Sequence, residues 1–395
     1  MSTVWSRLGI APIINAKGPA TRLSGMPMHP DVAAAMAEAA TSCVDIVQLQ
    51  AVASATIARH TGAEAGLVTS GAAAGLLLGA AACVAGNDPA AMARLPDTHG
   101  LRSEVVMVRS QRNQYDHAVR TVGLRVVEVG LPDRFSGAGC RDAEPWELAA
   151  AIGPQTACVL WVATGHARPT LPEVVEVAHA AGVPVLVDAA AELPPRANLR
   201  RFIAEGADLV AISGGKAIGG PQGTGMLCGR HDLIMSAALQ MLDMDYPEGL
   251  FAPPPGFIDR SRLRGLPPHG IGRPCKVGKE QIVGLLAALG RFVETDEGAE
   301  HAQRLAEVSL IADILAGVDG VVVQLRAAQP VPTLAVTPRW IPAATLLRRL
   351  AESSPAIHVD PEEVDHGRIL LNPICLRPGE AAIVAARIEA IVANP

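Results

Sequence analysis

A chain of 395 residues with 49% hydrophobic content can fill a core large enough for more than one domain. Its net charge of -6, from 33 basic against 39 acidic side chains, offers no basic stripe for a phosphate backbone, and 3% aromatic content leaves little surface for stacked bases. These balances set nucleic acid aside and leave a small molecule as the expected partner. The 7 cysteines are scattered without a Cys-x-x-Cys pair, as in reduced thiols. The start Met1-Ser2-Thr3-Val4-Trp5 lacks the apolar core of a signal peptide, and the Ala-rich run 72–85 is too short to cross a bilayer, so a cytoplasmic protein without membrane contact is expected.

Between residues 61 and 230, apolar runs of strand length alternate with helical stretches, the pattern of an α/β domain with a mostly parallel sheet. Strands are expected over 65–69, 104–109, 125–129, 157–163, 183–187 and 207–212. The stretch 172–181 reads as a helix stopped by Gly182. The Pro-rich segment 247–274 cannot form regular helix or central strand and reads as a connector or lid. Residues 278–295 have helical spacing, and the remainder suits a smaller α+β domain. The expected organisation is an N-terminal segment 1–50, a large domain 51–275 and a small domain 276–395.

Three features on this frame carry chemistry. Lys216 leaves the 207–212 strand inside Ser213-Gly214-Gly215-Lys216-Ala217-Ile218-Gly219-Gly220, where glycines let backbone approach a ligand closely; a solvated Gly-rich turn is the alternative. Asp188 ends the apolar run Val185-Leu186-Val187, where a carboxylate needs a cationic or hydrogen-bonding partner; a helix cap is the alternative. Ser70-Gly71-Ala72 turns a strand into an Ala-rich helix whose N-terminus can seat a phosphate, or is simply capped. A lysine for a Schiff base, a carboxylate for a ring nitrogen and a phosphate seat converge on pyridoxal 5'-phosphate. In the polar cluster 111–120, Tyr115 or His117 could stack on the ring. Gly223-Thr224-Gly225 is followed by an apolar strand where a dinucleotide fingerprint needs a helix, and no His-Glu-x-x-His metal motif occurs.

The runs Asn15-Ala16-Lys17-Gly18-Pro19-Ala20-Thr21-Arg22, Val68-Thr69-Ser70-Gly71, Tyr115-Asp116-His117, Val187-Asp188-Ala189-Ala190-Ala191-Glu192 and Ser213-Gly214-Gly215-Lys216 together resemble the fold-type I pyridoxal-phosphate enzymes. Within them the chain resembles the selenocysteine synthase-like group that includes D-glucosaminate-6-phosphate ammonia-lyase. The resemblance implies a large cofactor domain, a smaller C-terminal domain and a homodimer or multiple of dimers with sites between subunits. It assigns Lys216 to the Schiff base, Asp188 to the pyridine nitrogen, Ser70, Gly71, Ala72 and Ser213 to the phosphate, and Thr21 and Arg22 to substrate. A substrate carboxylate needs a planar bidentate partner, for which Arg22 comes first and Arg377 second. The expected reaction is α,β-elimination of the ammonia-lyase type on a small amino acid or amino sugar acid. Racemisation, aldol cleavage and transamination share its opening step, and behind them stand selenium transfer on seryl-tRNA and a non-catalytic pyridoxal-phosphate-binding partner.

Overall fold

The computed structural model describes residues 3–131 and 142–394; Cys140 lies outside them. In chain order the strands are β1 (Ile14–Ala16), β2 (Ala65–Thr69), β3 (Glu104–Val108), β4 (Arg125–Val129), β5 (Thr156–Val162), β6 (Val185–Asp188), β7 (Leu209–Ser213), β8 (Gly225–Gly229), β9 (Val321–Arg326), β10 (Thr333–Pro338), β11 (Ile357–Val359) and β12 (Ile369–Leu371). The chain divides into two compact units, Met28–Val293, and Met1–Pro27 with Glu294–Pro395.

In the larger unit a 7-stranded sheet runs in the order β2-β8-β7-β6-β5-β3-β4. Neighbours pair in parallel except β8, which is antiparallel to both β2 and β7. Strands β2, β6 and β8 are buried along their length, because a sheet covered on both faces selects continuous apolar runs. The helix Ala72–Ala85 lies close on this sheet. A methyl at its Gly75 would sit 3.3 Å from the Ala211 side chain, and one at Gly79 would sit 3.0 Å from Leu186, so small residues set the approach.

The unit boundaries fall away from residues 50 and 275, and side-chain packing gives the reason. The helix Lys279–Glu294 buries Ile282, Leu285 and Leu289, with Leu285 against the glycine loop that carries Lys216. The helix Pro30–Ala40 is tied to it by an Asp31–Arg291 ion pair of 2.9 Å. Both helices therefore complete the larger unit. The Pro-rich segment contains only short 3-10 turns, at Glu248–Leu250, Arg260–Arg262 and Arg273–Cys275, and buries Phe251, Phe257 and Ile258 in the core of the larger unit.

The smaller unit holds an antiparallel sheet in the order β12-β10-β9 and a parallel pair β1-β11. The helices Glu297–Ala316, Ala343–Ala351 and Glu380–Val392 contribute to its core. Strand β1 pairs Ile14 with Ile357, which builds the N-terminal segment into this unit.

Candidate active site

The loop after β7 is held by its own backbone. Gly214 N–H donates to the Thr224 carbonyl at 2.9 Å, Gly220 N–H to the Gly214 carbonyl at 2.9 Å, and Gly219 N–H to the Lys216 carbonyl at 2.9 Å. A methyl at Gly215 would come within 2.5 Å of the Gln222 backbone, and one at Gly214 within 2.5 Å of both Thr224 and Leu285. The glycines are thus required by close packing of the loop on itself. This packing leaves Lys216 half-buried at the carboxyl edge of the sheet.

On the neighbouring strand, Asp188 ends β6 with 8% of its surface exposed, and its Oδ1 accepts the Ala190 N–H at 3.1 Å. Burial pushes the Asp188 carboxyl above its ordinary range, against the pull of the Ala190 N–H and of Lys216. Burial likewise pushes the Lys216 amine below the ordinary lysine value, opposed by Asp188 and Glu192. A third group joins them: burial raises the carboxyl of the half-buried Glu192, which is opposed by Arg201 and also senses the charges of Asp188 and Lys216. The family resemblance included Glu192 within a motif but gave it no role. Its place four residues after Asp188 in the same run was the available signal.

The third feature lies at the junction of β2 and the helix Ala72–Ala85. Gly71 is the N-cap, with φ 95° and no side-chain cap, and the space where its side chain would stand is open. The first-turn amides therefore lack a capping side chain, the arrangement an anion seat requires. Sequence order suggests successive loops for the phosphate seat, Asp188 and Lys216, but β8 is inserted between β2 and β7. Its first residue, Gly225, packs on the Gly71–Ala72 peptide, where a methyl would lie 2.5 Å from Gly71 C and 2.6 Å from Ala72 N. Ser213 pairs with Gly225 at this edge. The Ser70 hydroxyl donates to the Cys275 carbonyl at 3.0 Å, so its proton is engaged within the protein.

Of the polar cluster, Tyr115 is 60% exposed and His117, the first residue of the helix His117–Thr121, is exposed too. The buried members are Gln111, whose Oε1 accepts the Val162 N–H at 2.9 Å, and Asp116, which pairs with Arg112 at 2.5 Å. Among the described residues, nothing therefore packs Tyr115 into the core.

In the smaller unit, Asn15 shapes the turn that precedes Thr21 and Arg22. Its Nδ2 donates to the Gly18 carbonyl at 3.1 Å and its Oδ1 accepts the Lys17 N–H at 3.0 Å. Lys17 is neutralised by Asp360 at 3.1 Å. Arg22, in the short turn Thr21–Leu23, lines a cleft of ≈ 400 Å³ together with Trp5, Ile10, Met26 and Arg377. The two arginines differ. Arg377 Nε donates to the 7% exposed Glu380 at 2.8 Å, whereas no hydrogen bond or ion pair reaches the Arg22 guanidinium among the described residues.

A buried carboxylate without a full cationic partner, a desolvated lysine and an uncapped helix N-terminus fit the three demands of pyridoxal 5'-phosphate. Asp188 would face the ring nitrogen, Lys216 the aldehyde carbon, and the start of the helix Ala72–Ala85 the phosphate. Sheet order and site together define a fold-type I pyridoxal-phosphate-dependent enzyme. The aminotransferase class-V family model matches residues 139–242. The chain is 31% identical to D-glucosaminate-6-phosphate ammonia lyase of Salmonella typhimurium, over 98% of this chain and 97% of that one. It is also 31% identical to 5'-C-glycyluridine monooxygenase-decarboxylase of a Streptomyces species, over 98% of this chain and 92% of that one. The solved structure of D-glucosaminate-6-phosphate ammonia-lyase superposes with a TM-score of 0.81 at 29% identity, covering 100% of this chain and 99% of that one. The chain belongs to the family of fold-type I pyridoxal-phosphate-dependent enzymes that includes this ammonia lyase.

Proposed function

We propose that this protein binds pyridoxal 5'-phosphate at Lys216 and catalyses α,β-elimination with release of ammonia from an amino acid or amino sugar acid bearing a β-hydroxyl. The observation that carries this reading is the pairing of a desolvated Lys216 with a buried Asp188 on adjacent strands, in a chain similar over 98% of its length to an ammonia lyase. When bound, the cofactor supplies an electron sink conjugated to the substrate nitrogen, which acidifies the α-hydrogen. The residues of the chain do the rest. Lys216 Nζ, kept neutral more readily by burial, takes the α-proton. Asp188 holds its charge against a cationic ring nitrogen, which offsets the cost of burying the carboxylate. Gly71 and Ala72 amides, with Ser213 beside them, hold the phosphate, and Ser70 keeps the segment around Cys275 against this seat.

Tyr115 or His117 would lie against the flat ring. Arg22 is the proposed partner of the substrate carboxylate because its fork is uncommitted, while Arg377 is held by Glu380. A homodimer is supported by the helix Val4–Arg7, which buries none of its residues, and by the exposed Trp5, Leu8 and Ile10 in and just after it. Among the described residues no helix is long and apolar enough to cross a membrane.

The test is direct. Purified protein loaded with pyridoxal 5'-phosphate should be yellow, and Lys216→Ala should lose the absorbance band while remaining folded. Incubation with D-glucosaminate 6-phosphate and with D- and L-serine should release a keto acid and ammonia. Protein that takes up no cofactor, or that yields no keto acid from any of these, overturns the reading. A second reading, decarboxylation of a glycyl-bearing substrate, is supported by the equally similar monooxygenase-decarboxylase. Carbon dioxide release with oxygen uptake would favour it.

A further inference from the structure

Elimination of a β-hydroxyl needs two proton transfers, and Lys216 accounts for one. Hydroxide is a poor leaving group, so the departing oxygen must receive a proton as its bond breaks. Glu192 is a second carboxyl at the same edge of the sheet, in the field of Lys216 and Asp188. It lies four residues beyond Asp188, and its loop is tied down at both ends. The Ala189 N–H donates to the Ala211 carbonyl of β7 at 3.0 Å, and Asn198, itself buried, donates through Nδ2 to the Glu192 carbonyl at 2.7 Å. The Glu192 N–H donates to the Ala189 carbonyl at 3.3 Å, which turns the chain back toward the strand ends. Its carboxylate is half-buried, feels the charge of Arg201, whose own Nε is committed to Glu205 at 2.7 Å, and then those of Asp188 and Lys216, and among the described residues accepts no hydrogen bond. A half-buried carboxylate that accepts no hydrogen bond, in the field of a lysine and a second carboxylate, is placed to exchange a proton. Its burial also raises its proton affinity, which suits a donor near neutral pH.

Resting on the lyase reading, we propose that Glu192 is the proton donor to the leaving β-oxygen. The substrate α C–H bond breaks and its proton passes to Lys216 Nζ. The electron pair forms the Cα–Cβ double bond as the β C–O bond breaks, and the oxygen leaves with its pair, taking the Glu192 proton to depart as water. Glu192 is left as a carboxylate, and the water later consumed in releasing ammonia balances the water lost.

The experiment compares holoenzyme with E192Q, a near-isosteric change that cannot donate this proton. Three measurements are made on each: cofactor absorbance, exchange of the substrate α-hydrogen with deuterium oxide, and keto acid formation. The probes are D-glucosaminate 6-phosphate and D- and L-serine, whose hydroxyl must be protonated, and D- and L-β-chloroalanine, whose chloride leaves without a proton. Expected in E192Q are an intact cofactor band, persisting α-hydrogen exchange, a loss of about 100-fold or more in elimination from hydroxyl substrates, and a loss under about tenfold from β-chloroalanine. Equal losses with hydroxyl and chloride, or wild-type rates with both, overturn the role of Glu192 while the lyase reading stands. Wild-type protein that exchanges the α-hydrogen but eliminates neither hydroxyl nor chloride overturns the lyase reading, and the proposal with it.

Discussion

Gly225→Ala tests whether the β8 insertion builds the phosphate seat. The added methyl would lie 2.5 Å from Gly71 C and 2.6 Å from Ala72 N, while ordinary contact begins at 3.4 Å, so the overlap is 3.4 − 2.5 = 0.9 Å. Both clashing atoms are backbone, and no side chain can swing aside. Either β8 or the start of the helix Ala72–Ala85 must shift, at a cost of about 1–3 kcal/mol in stability. A shift of the helix start also misplaces the amides proposed to hold the phosphate, and a loss of about 1.4–2.8 kcal/mol there is a 10–100-fold weaker cofactor. The control is Gly223→Ala on the same loop, where nothing lies within 4 Å of the new methyl. Urea unfolding of the apoprotein reads stability, and titration with pyridoxal 5'-phosphate followed by absorbance reads affinity. Gly225→Ala should fail on both counts and Gly223→Ala on neither. Wild-type stability and affinity in Gly225→Ala, or equal damage in the two variants, would refute the reasoning.

Asp188→Asn should split stability from function. Burial raises the Asp188 pKa above 3.8, so the folded chain retains a proton that the unfolded chain releases, and stability falls as pH rises through that window. Asparagine removes the fall and can still accept the Ala190 N–H. The apoprotein variant should unfold at an equal or higher urea concentration at neutral pH, with the gap closing below about pH 4, while cofactor affinity drops about tenfold or more. A limb of kcat rising with pH should lie below the ordinary lysine value of 10.5, because burial depresses Lys216; a profile rising only above that value would contradict it as the base. Arg377→Ala strips the 7% exposed Glu380 of its guanidinium and should destabilise the smaller unit by about 1–3 kcal/mol in urea unfolding. Arg22→Ala should leave the urea midpoint unchanged and lower kcat/KM by about 10-fold or more, with Arg22→Lys recovering little.

Much of the larger unit was legible in the chain. Strands buried on both faces are continuous apolar runs, so β2 falls at the expected residues and β3, β5, β6 and β7 within two residues of expectation; the half-exposed edge strand β4 also falls where expected. Lys216, Asp188 and the Ser70-Gly71 turn were visible for a related reason, since a charged residue or a glycine at the end of such a run is conspicuous. The domain boundaries were less visible. A helical period shows that 279–294 is a helix, and nothing in that period tells it to pack Leu285 on the Lys216 loop.

The sequence by itself determined the α/β class, the strands and the residue types that point to pyridoxal 5'-phosphate, because periodicity and local chemistry are properties of neighbouring residues. Tertiary structure decided which groups meet. It inserted β8 antiparallel between β2 and β7 and set Gly225 against the Gly71–Ala72 peptide. It spent the Ser70 hydroxyl on Cys275 and the Arg377 fork on Glu380, leaving Arg22 open. It also brought Glu192 into the field of Lys216 and Asp188. Each of these depends on contacts between segments distant in the chain, or on the path of a loop, and no local pattern encodes them.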